Sequence, residues 1–341
     1  MKAMSRLVLL VAAVAGAGCQ PESTAPDAQP ASAAAELAGS WTTRAPYPRS
    51  WWGAASAAVT NPSTLRSTLY VIGGAPPFSG AGKISDVVKA YDVEANTWKP
   101  KAHYPVRIWL THGAVELDGK IYVTGGQKRQ YDEQRQVYVS VTVGSLYVYD
   151  PSSDSWTRRA DLPILASGAG VSATYKGFLY VATACHDPAI CGSREDLGAL
   201  WRYNPANNNW VLLTRTPHDP TYGGGGFIGG KLYLISEAGG QATDVYTVAT
   251  NTWSTGPERP GSTCLPSYTT ANAKLYVTCP TSGGGTALDV LDPGTGWSSA
   301  GPIPYNAGGP AYTMSRVVRG GRTALELVGV SYPTNNLQYA P

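Results

Sequence analysis

Charge is scarce in this chain of 341 residues: Asp, Glu, Lys and Arg together make up 14%, against roughly 25% in an ordinary globular domain. That excludes a solvated disordered polymer and a protein built of long surface helices. The formal net charge of +3 leaves no basic surplus for nucleic acid. No run of about 18 apolar residues exists, which excludes an ordinary membrane-spanning helix. There are four histidines, His103, His112, His186 and His218, and no two stand at the spacing of a metal motif. A G-x-S-x-G elbow, a phosphate loop and an H-E-x-x-H pair are missing too, so no cofactor or metal is expected. Gly (39), Pro (26), Tyr (21) and Trp (10) are plentiful. Turn formers in so apolar a chain predict many short strands.

The opening residues read as an export signal. Lys2 and Arg6 precede the eleven-residue apolar stretch Leu7–Ala17, the length of a signal-peptide core and too short for a mature span. Two cleavage sites compete. Ala15-Gly16-Ala17 would release a soluble protein after Ala17, whereas Gly16-Ala17-Gly18-Cys19 resembles a bacterial lipobox and makes Cys19 the lipidated residue. Of the five cysteines, Cys185 with Cys191 and Cys264 with Cys279 form two local pairs, suited to disulfides in an oxidising compartment. Cys19 is left over, and lipidation gives it a role. Loss of residues 1–18 removes Lys2 and Arg6 and leaves a net charge of +1. Residues 20–37 are rich in Ala, Pro and Ser without a hydrophobic period and read as a tether. Gln20 rather than Asp follows Cys19; in a Gram-negative cell that sorting pattern implies the outer membrane. The expected address is therefore exported and membrane-anchored, at the outer membrane or cell surface.

A repeat fills residues 38–341. Apolar strands end in Gly-Gly at Leu69–Gly74 and Ile121–Gly126; Tyr91-Asp92, Tyr149-Asp150 and Tyr203-Asn204 follow; then a Trp stands behind a turn residue in Asn96-Thr97-Trp98, Asp154-Ser155-Trp156, Asn209-Trp210, Asn251-Thr252-Trp253 and Gly296-Trp297. The strands at Leu179–Ala184, Leu232–Glu237 and Leu275–Pro280 align without the glycines, and Leu325–Val330 is the most decayed copy. The Trp-to-Trp spacing is 58 residues from Trp98 to Trp156 and 43 from Trp210 to Trp253, on either side of a period near ~50. This ordered set closely resembles the kelch repeat. The resemblance implies an all-β protein, a six-bladed kelch β-propeller of four-stranded antiparallel blades that bury their faces on one another. The chain starts with a lone Trp strand, Ser40–Arg44, and ends on a third strand near Asn336–Tyr339. The N-terminal strand is thus expected to complete the last blade, leaving no open edge.

In such a propeller the fourth-to-first and second-to-third strand loops share one rim, the expected ligand face. Arg49-Ser50-Trp51-Trp52 and Arg107-Ile108-Trp109 open the first two blades in matched register. A guanidinium beside an aromatic platform suits sugars or anionic ligands; pairing of the arginines with backbone carbonyls is the structural alternative. The stretch from Gly126 to Tyr149 carries Lys128, Arg129, Asp132, Glu133 and Arg135 and reads equally as a functional loop or a hairpin extension, since Val137–Val141 alternates like a strand. His112, Tyr222 and Tyr268 complete the candidate ligand set. Ser236–Asp244 is similar to a stretch of bacterial N-acetylneuraminate epimerases, also six-bladed kelch proteins. The resemblance makes Glu237 a candidate catalytic carboxylate with Arg49 or Arg107, although the epimerase Arg is replaced by Ala242 and Thr243.

The expected function is a monomeric recognition scaffold for a glycan or an extracytoplasmic protein. A sugar epimerase or mutarotase-like enzyme on the same rim is the alternative.

Overall fold

The computed structural model describes residues 39–49, 52–76, 84–165, 170–184, 198–236, 239–260, 267–281, 285–304, 312–329 and 335–341. Among these, all regular structure is strand, and no helix is long and apolar enough to cross a membrane. Blade 1 is β2 (Ala55–Asn61), β3 (Arg66–Ile72), β4 (Val88–Asp92) and β5 (Thr97–Lys101). Blade 2 is β6 (Ala114–Leu117), β7 (Lys120–Thr124), β10 (Leu146–Asp150) and β11 (Ser155–Arg159), with the hairpin β8 (Gln127–Asp132) and β9 (Val137–Thr142) inserted before its third strand. Blade 3 is β12 (Val171–Tyr175), β13 (Phe178–Thr183), β14 (Ala199–Asn204) and β15 (Asn209–Arg215). Blade 4 is β16 (Gly224–Ile228), β17 (Lys231–Ile235), β18 (Asp244–Thr247) and β19 (Thr252–Thr255). Blade 5 is β20 (Tyr268–Ala271), β21 (Lys274–Pro280), β22 (Thr286–Asp292) and β23 (Gly296–Pro302).

Blade 6 is β24 (Tyr312–Arg319), β25 (Arg322–Gly329), β26 (Asn336–Ala340) and, from the other end of the chain, β1 (Ser40–Thr43). β1 pairs antiparallel with β26, Ser40 opposite Ala340 and Thr43 opposite Leu337. The first strands of successive blades touch, and β2 touches both β6 and β24, so the ring is closed. The expected six-bladed propeller and its N-terminal closing strand are both present.

The side chains of the repeat are themselves the joints. The turn before each Trp strand needs one residue in the left-handed region, and Asn96, Asp154, Asn208 and Asn251 have φ of 57°, 49°, 53° and 54°. Asn and Asp tolerate that region better than other side chains. From there Asn96 accepts from the Tyr91 hydroxyl (2.6 Å) and the Ala45 N–H (2.7 Å). Asp154 does the same with Tyr149 (2.5 Å) and Ala102 (3.0 Å), and Asn208 with Tyr203 (2.7 Å) and Ala160 (2.8 Å). The Trp two residues on donates its indole N–H to the carbonyl of that same alanine: Trp98 to Ala45, Trp156 to Ala102 and Trp210 to Ala160, at 2.9, 3.1 and 2.8 Å. Each alanine lies in the segment leaving the preceding blade. The Tyr–Asn–Trp trio therefore straps one blade to the connection of its neighbour. The terminal glycine of the second strand has its own reason: a Cβ on Gly73, at φ +69°, would meet the Ile108 carbonyl oxygen at 2.6 Å.

The trio yields a prediction. Asp154→Ala removes two hydrogen bonds and leaves at positive φ a residue without the polar side chain that makes Asp tolerable there, and is expected to lower stability by about 2–3 kcal/mol. Asp154→Asn retains the acceptor used in three other blades and is expected to stay within about 0.5 kcal/mol of the parent. Denaturant titration of both variants checks this. The Tyr149 hydroxyl, then the Ala102 N–H, hold the Asp154 carboxyl below its ordinary range. The stability it contributes is thus present above the usual carboxylate pKa and lost as pH falls through the depressed one; Asp154→Asn removes that acid sensitivity.

Candidate functional site

The two kinds of rim loop are hydrogen-bonded to each other. The backbone of Trp52, in the loop entering blade 1, exchanges two bonds with Ala75 in the loop after β3, and Trp109, entering blade 2, does the same with Gln127. This matched register brings the two indoles together: their ring centroids lie 5.3 Å apart, edge to face at 62°. Both are partly exposed. The β8–β9 hairpin then adds a cation. Alternation along β8 puts Arg129 on the face of Tyr131, and its guanidinium carbon sits 6.0 Å from the Trp109 ring centre. Arg129 also donates to the Tyr138 carbonyl at 3.1 Å. Tyr131 and Tyr138 pair across the hairpin at 5.2 Å and are about half exposed. Trp52, Trp109, Arg129 and the two tyrosines thus form one aromatic ledge with a cation in its middle, a surface suited to C–H faces and to partial negative charge.

The other predicted residues are dispersed. Arg49 and Arg107 are exposed on the rim. His112 is fully buried in the wall, where its Nδ1 accepts from the Gly170 N–H at 3.2 Å and its ring lies against Gly125. Tyr222 is half-buried with φ +49°. Tyr268 alone of the predicted set, among the described residues, lines the axial cavity. Its hydroxyl lies 3.4 Å from where a Cβ on Gly113 would stand. Burial pushes the Tyr268 phenol up to about 12, offset in part by the Ser172 backbone N–H bonded to its oxygen. Trp51 and Glu237 lie outside the described residues, as do Cys19, Cys185, Cys191 and Cys264. Cys279 is buried and disulfide-bonded, with the Arg259 guanidinium 3.4 Å from its sulfur.

A second rim pair had no signal in the sequence. His218, entering blade 4, sets Nδ1 3.0 Å from Asp244 Oδ1 and 3.1 Å from Oδ2, and its backbone N–H reaches the same carboxylate at 3.3 Å. The contact joins residues 26 apart that only blade assembly brings together. No group of three or more His, Cys, Asp or Glu suited to a metal occurs among the described residues.

Comparison with known proteins agrees with this architecture. Residues 109–163 match the Kelch motif. The chain is a six-bladed β-propeller that carries a Kelch motif. It is 26% identical over 253 residues to Kelch-like protein 25 of Xenopus tropicalis, covering 70% of this chain and 40% of that protein. With human Kelch repeat and BTB domain-containing protein 12 it shares 32% identity over 183 residues, 50% of this chain and 28% of the other. The chain thus spans well under half the length of these relatives. The solved structure of YjhT superposes with a TM-score of 0.61 over 87% of this chain and all of that one, at 14% identity, a likeness of fold alone.

Proposed function

We propose that this Kelch propeller is an exported recognition scaffold that holds a glycan on the blade 1–2 rim. The observation that carries the reading is the partly exposed Trp52–Trp109 pair with Arg129 beside it. Large aromatic faces next to a fixed cation suit the apolar faces and hydroxyls of a sugar chain. The Lys2–Cys19 signal pattern and the Ala/Pro/Ser tether support lipid anchoring at Cys19, which would hold the rim outside the cell.

On a glycan array, the full chain is expected to bind a defined subset of structures. Trp109→Ala should weaken that binding at least about tenfold, the equivalent of about 1.4 kcal/mol of lost stacking. Equal binding by Trp52→Ala and Trp109→Ala chains that keep the parental Tm would sink the proposal. The catalytic alternative rests on Glu237 with Arg49 or Arg107; an epimerisation assay on reducing sugars with a Glu237→Ala control decides it.

A further inference from the structure

Every blade protects its outer edge. β5 carries Lys99, Pro100 and Lys101 there, and β11 carries Arg158 and Arg159. β15 and β23 are interrupted by register shifts against their neighbours, and β1 and β19 are only four residues long. Charge, proline, bulges and shortness are the means by which proteins keep a bare strand from pairing with another chain. The inserted hairpin lacks all of them. β9 reads Val137-Tyr138-Val139-Ser140-Val141-Thr142, six residues with no charge, proline or glycine, paired with β8 in unbroken register. Val137 and Tyr138 are about half exposed, and Val139, Ser140 and Val141 are partly so.

The backbone groups on that edge have a defined direction. Gln127 gives both its N–H and its C=O to Trp109, so its pair with Thr142 exchanges no bonds. Alternation makes Arg129–Ser140 and Tyr131–Tyr138 pairs of the same kind. The backbone N–H and C=O of Tyr138 and Ser140 therefore point away from β8, and no strand lies beyond them among the described residues. Arg129 donates to the Tyr138 carbonyl at 3.1 Å. The Tyr138 N–H and both backbone groups of Ser140 have no partner among the described residues.

We propose that the β9 edge takes up an extended segment of a protein partner as a third strand. Main-chain bonds to Tyr138 and Ser140 supply the pairing, and side chains supply the selection. Partner residues opposite Tyr138 and Ser140 share the face of Arg129, where a carboxylate is favoured. The partner residue opposite Val139 lies on the other face with Val137 and Val141, where a β-branched side chain packs best. A second copy of β9 would bring no carboxylate to Arg129, so a different chain fits the edge better. This docking goes beyond the glycan reading and does not depend on it.

The test is fluorescence anisotropy of the full chain with labelled acetyl-Thr-Val-Asp-Val-Thr-Val-amide and with its relatives carrying Ile for Val or Glu for Asp. At least one should bind. Methylating the backbone nitrogens of its acidic residue and of the following Thr, which face β9, should weaken it at least about tenfold, whereas methylating two outward-facing Val nitrogens should not. Ser140→Pro removes an outward N–H and leaves the β8 ladder whole; it should abolish binding, and the methylated peptides decide alone if that variant does not fold. Hydrogen exchange of the Ser140 amide should slow at least about tenfold in the complex. No binding by any peptide up to about 1 mM overturns the proposal. So does binding that is indifferent to the methylation pattern. Dimerisation of the chain in sedimentation, reversed by Ser140→Pro, would put a second copy on the edge and overturn it as well.

Discussion

Arg44→Ala is expected to lower the melting temperature by about 6–10 °C, the largest single-residue effect in this molecule. Arg44 follows β1 directly and is 9% exposed. Its Nη2 donates to the Val93 carbonyl at 2.6 Å, its Nε to the Tyr91 hydroxyl at 3.1 Å, and its backbone N–H to the Asn336 carbonyl at 2.8 Å. One residue thus ties the closing strand to β26 on one side and to blade 1 on the other. Truncation removes two charge-assisted bonds and leaves a buried carbonyl unpaired, a loss of about 3–5 kcal/mol. In a domain of this size each kcal/mol moves Tm by about 2 °C. Arg44→Lys keeps the charge but has no fork to reach both acceptors, so it should recover less than half of the loss. A calorimetric scan of the three proteins decides: a shift below about 2 °C for Arg44→Ala would show that the closure does not depend on this contact.

The second large effect is a pH dependence centred on Glu326. Five second strands carry Tyr at one position, namely Tyr70, Tyr122, Tyr180, Tyr233 and Tyr276, while the sixth carries Glu326. Glu326 is fully buried, accepts from Gln338 Nε2 at 3.0 Å, and is raised to about 7, chiefly by burial. The Gln338 bond and the charges of Arg44 and Arg319 oppose that rise without cancelling it.

An acid whose folded pKa lies above its unfolded value binds more protons in the native state between the two, so stability falls as pH rises through that window. The window here runs from about 4.5 to about 7. Complete ionisation costs about 3 kcal/mol. Glu326→Gln removes the penalty: above pH 8 it should be more stable than the parent by about 2–3 kcal/mol, and near pH 4 the two should converge. Urea titrations at pH 4, 6 and 8 check this, and parallel pH profiles for the two proteins would refute it. In Arg44→Ala the favourable charge is gone, so the decline, which still starts near the ordinary carboxylate pKa, should run on to higher pH than in the parent.

The legible parts of this fold are those in which the motif residue is itself the bond. Asn96, Tyr91 and Trp98 lie within eight positions of one another, and each recurs with the period of a blade. Blade number and the closing strand follow from counting them. Glu326 lies in the copy that the sequence shows as most decayed, Leu325–Val330, but that decay does not mark it as a buried acid. The candidate site was legible only to within one position: Arg followed two residues on by Trp matches Trp51 with Trp109 in the sequence, whereas the backbone bridges make Trp52 the counterpart of Trp109. Arg129 reaches Trp109 through the side alternation of an inserted hairpin, and the order Val137–Val141 shows that alternation without showing where the hairpin leans. His112 reads from the sequence as a rim residue, but the ring lies inside the wall because Gly170 and Gly125 make room for it. The axial cavity has no local signature: its lining comes from the first strands of six blades and meets only in the assembled ring.

The strap that links the blades is complete in blades 1 to 3, and at the seam there is no turn for it to hold. Where Asn96 or Asp154 turns the chain from third to fourth strand, blade 6 pairs strands from distant parts of the sequence: Ser40 faces Ala340, and Gly39 lies against the Tyr339 ring with no side chain to receive its hydroxyl. A peptide link between those ends would make an ordinary hairpin of β26 and β1. The ring could then be opened at the Asn208 turn with every strand keeping its neighbours, which makes it a candidate for circular permutation.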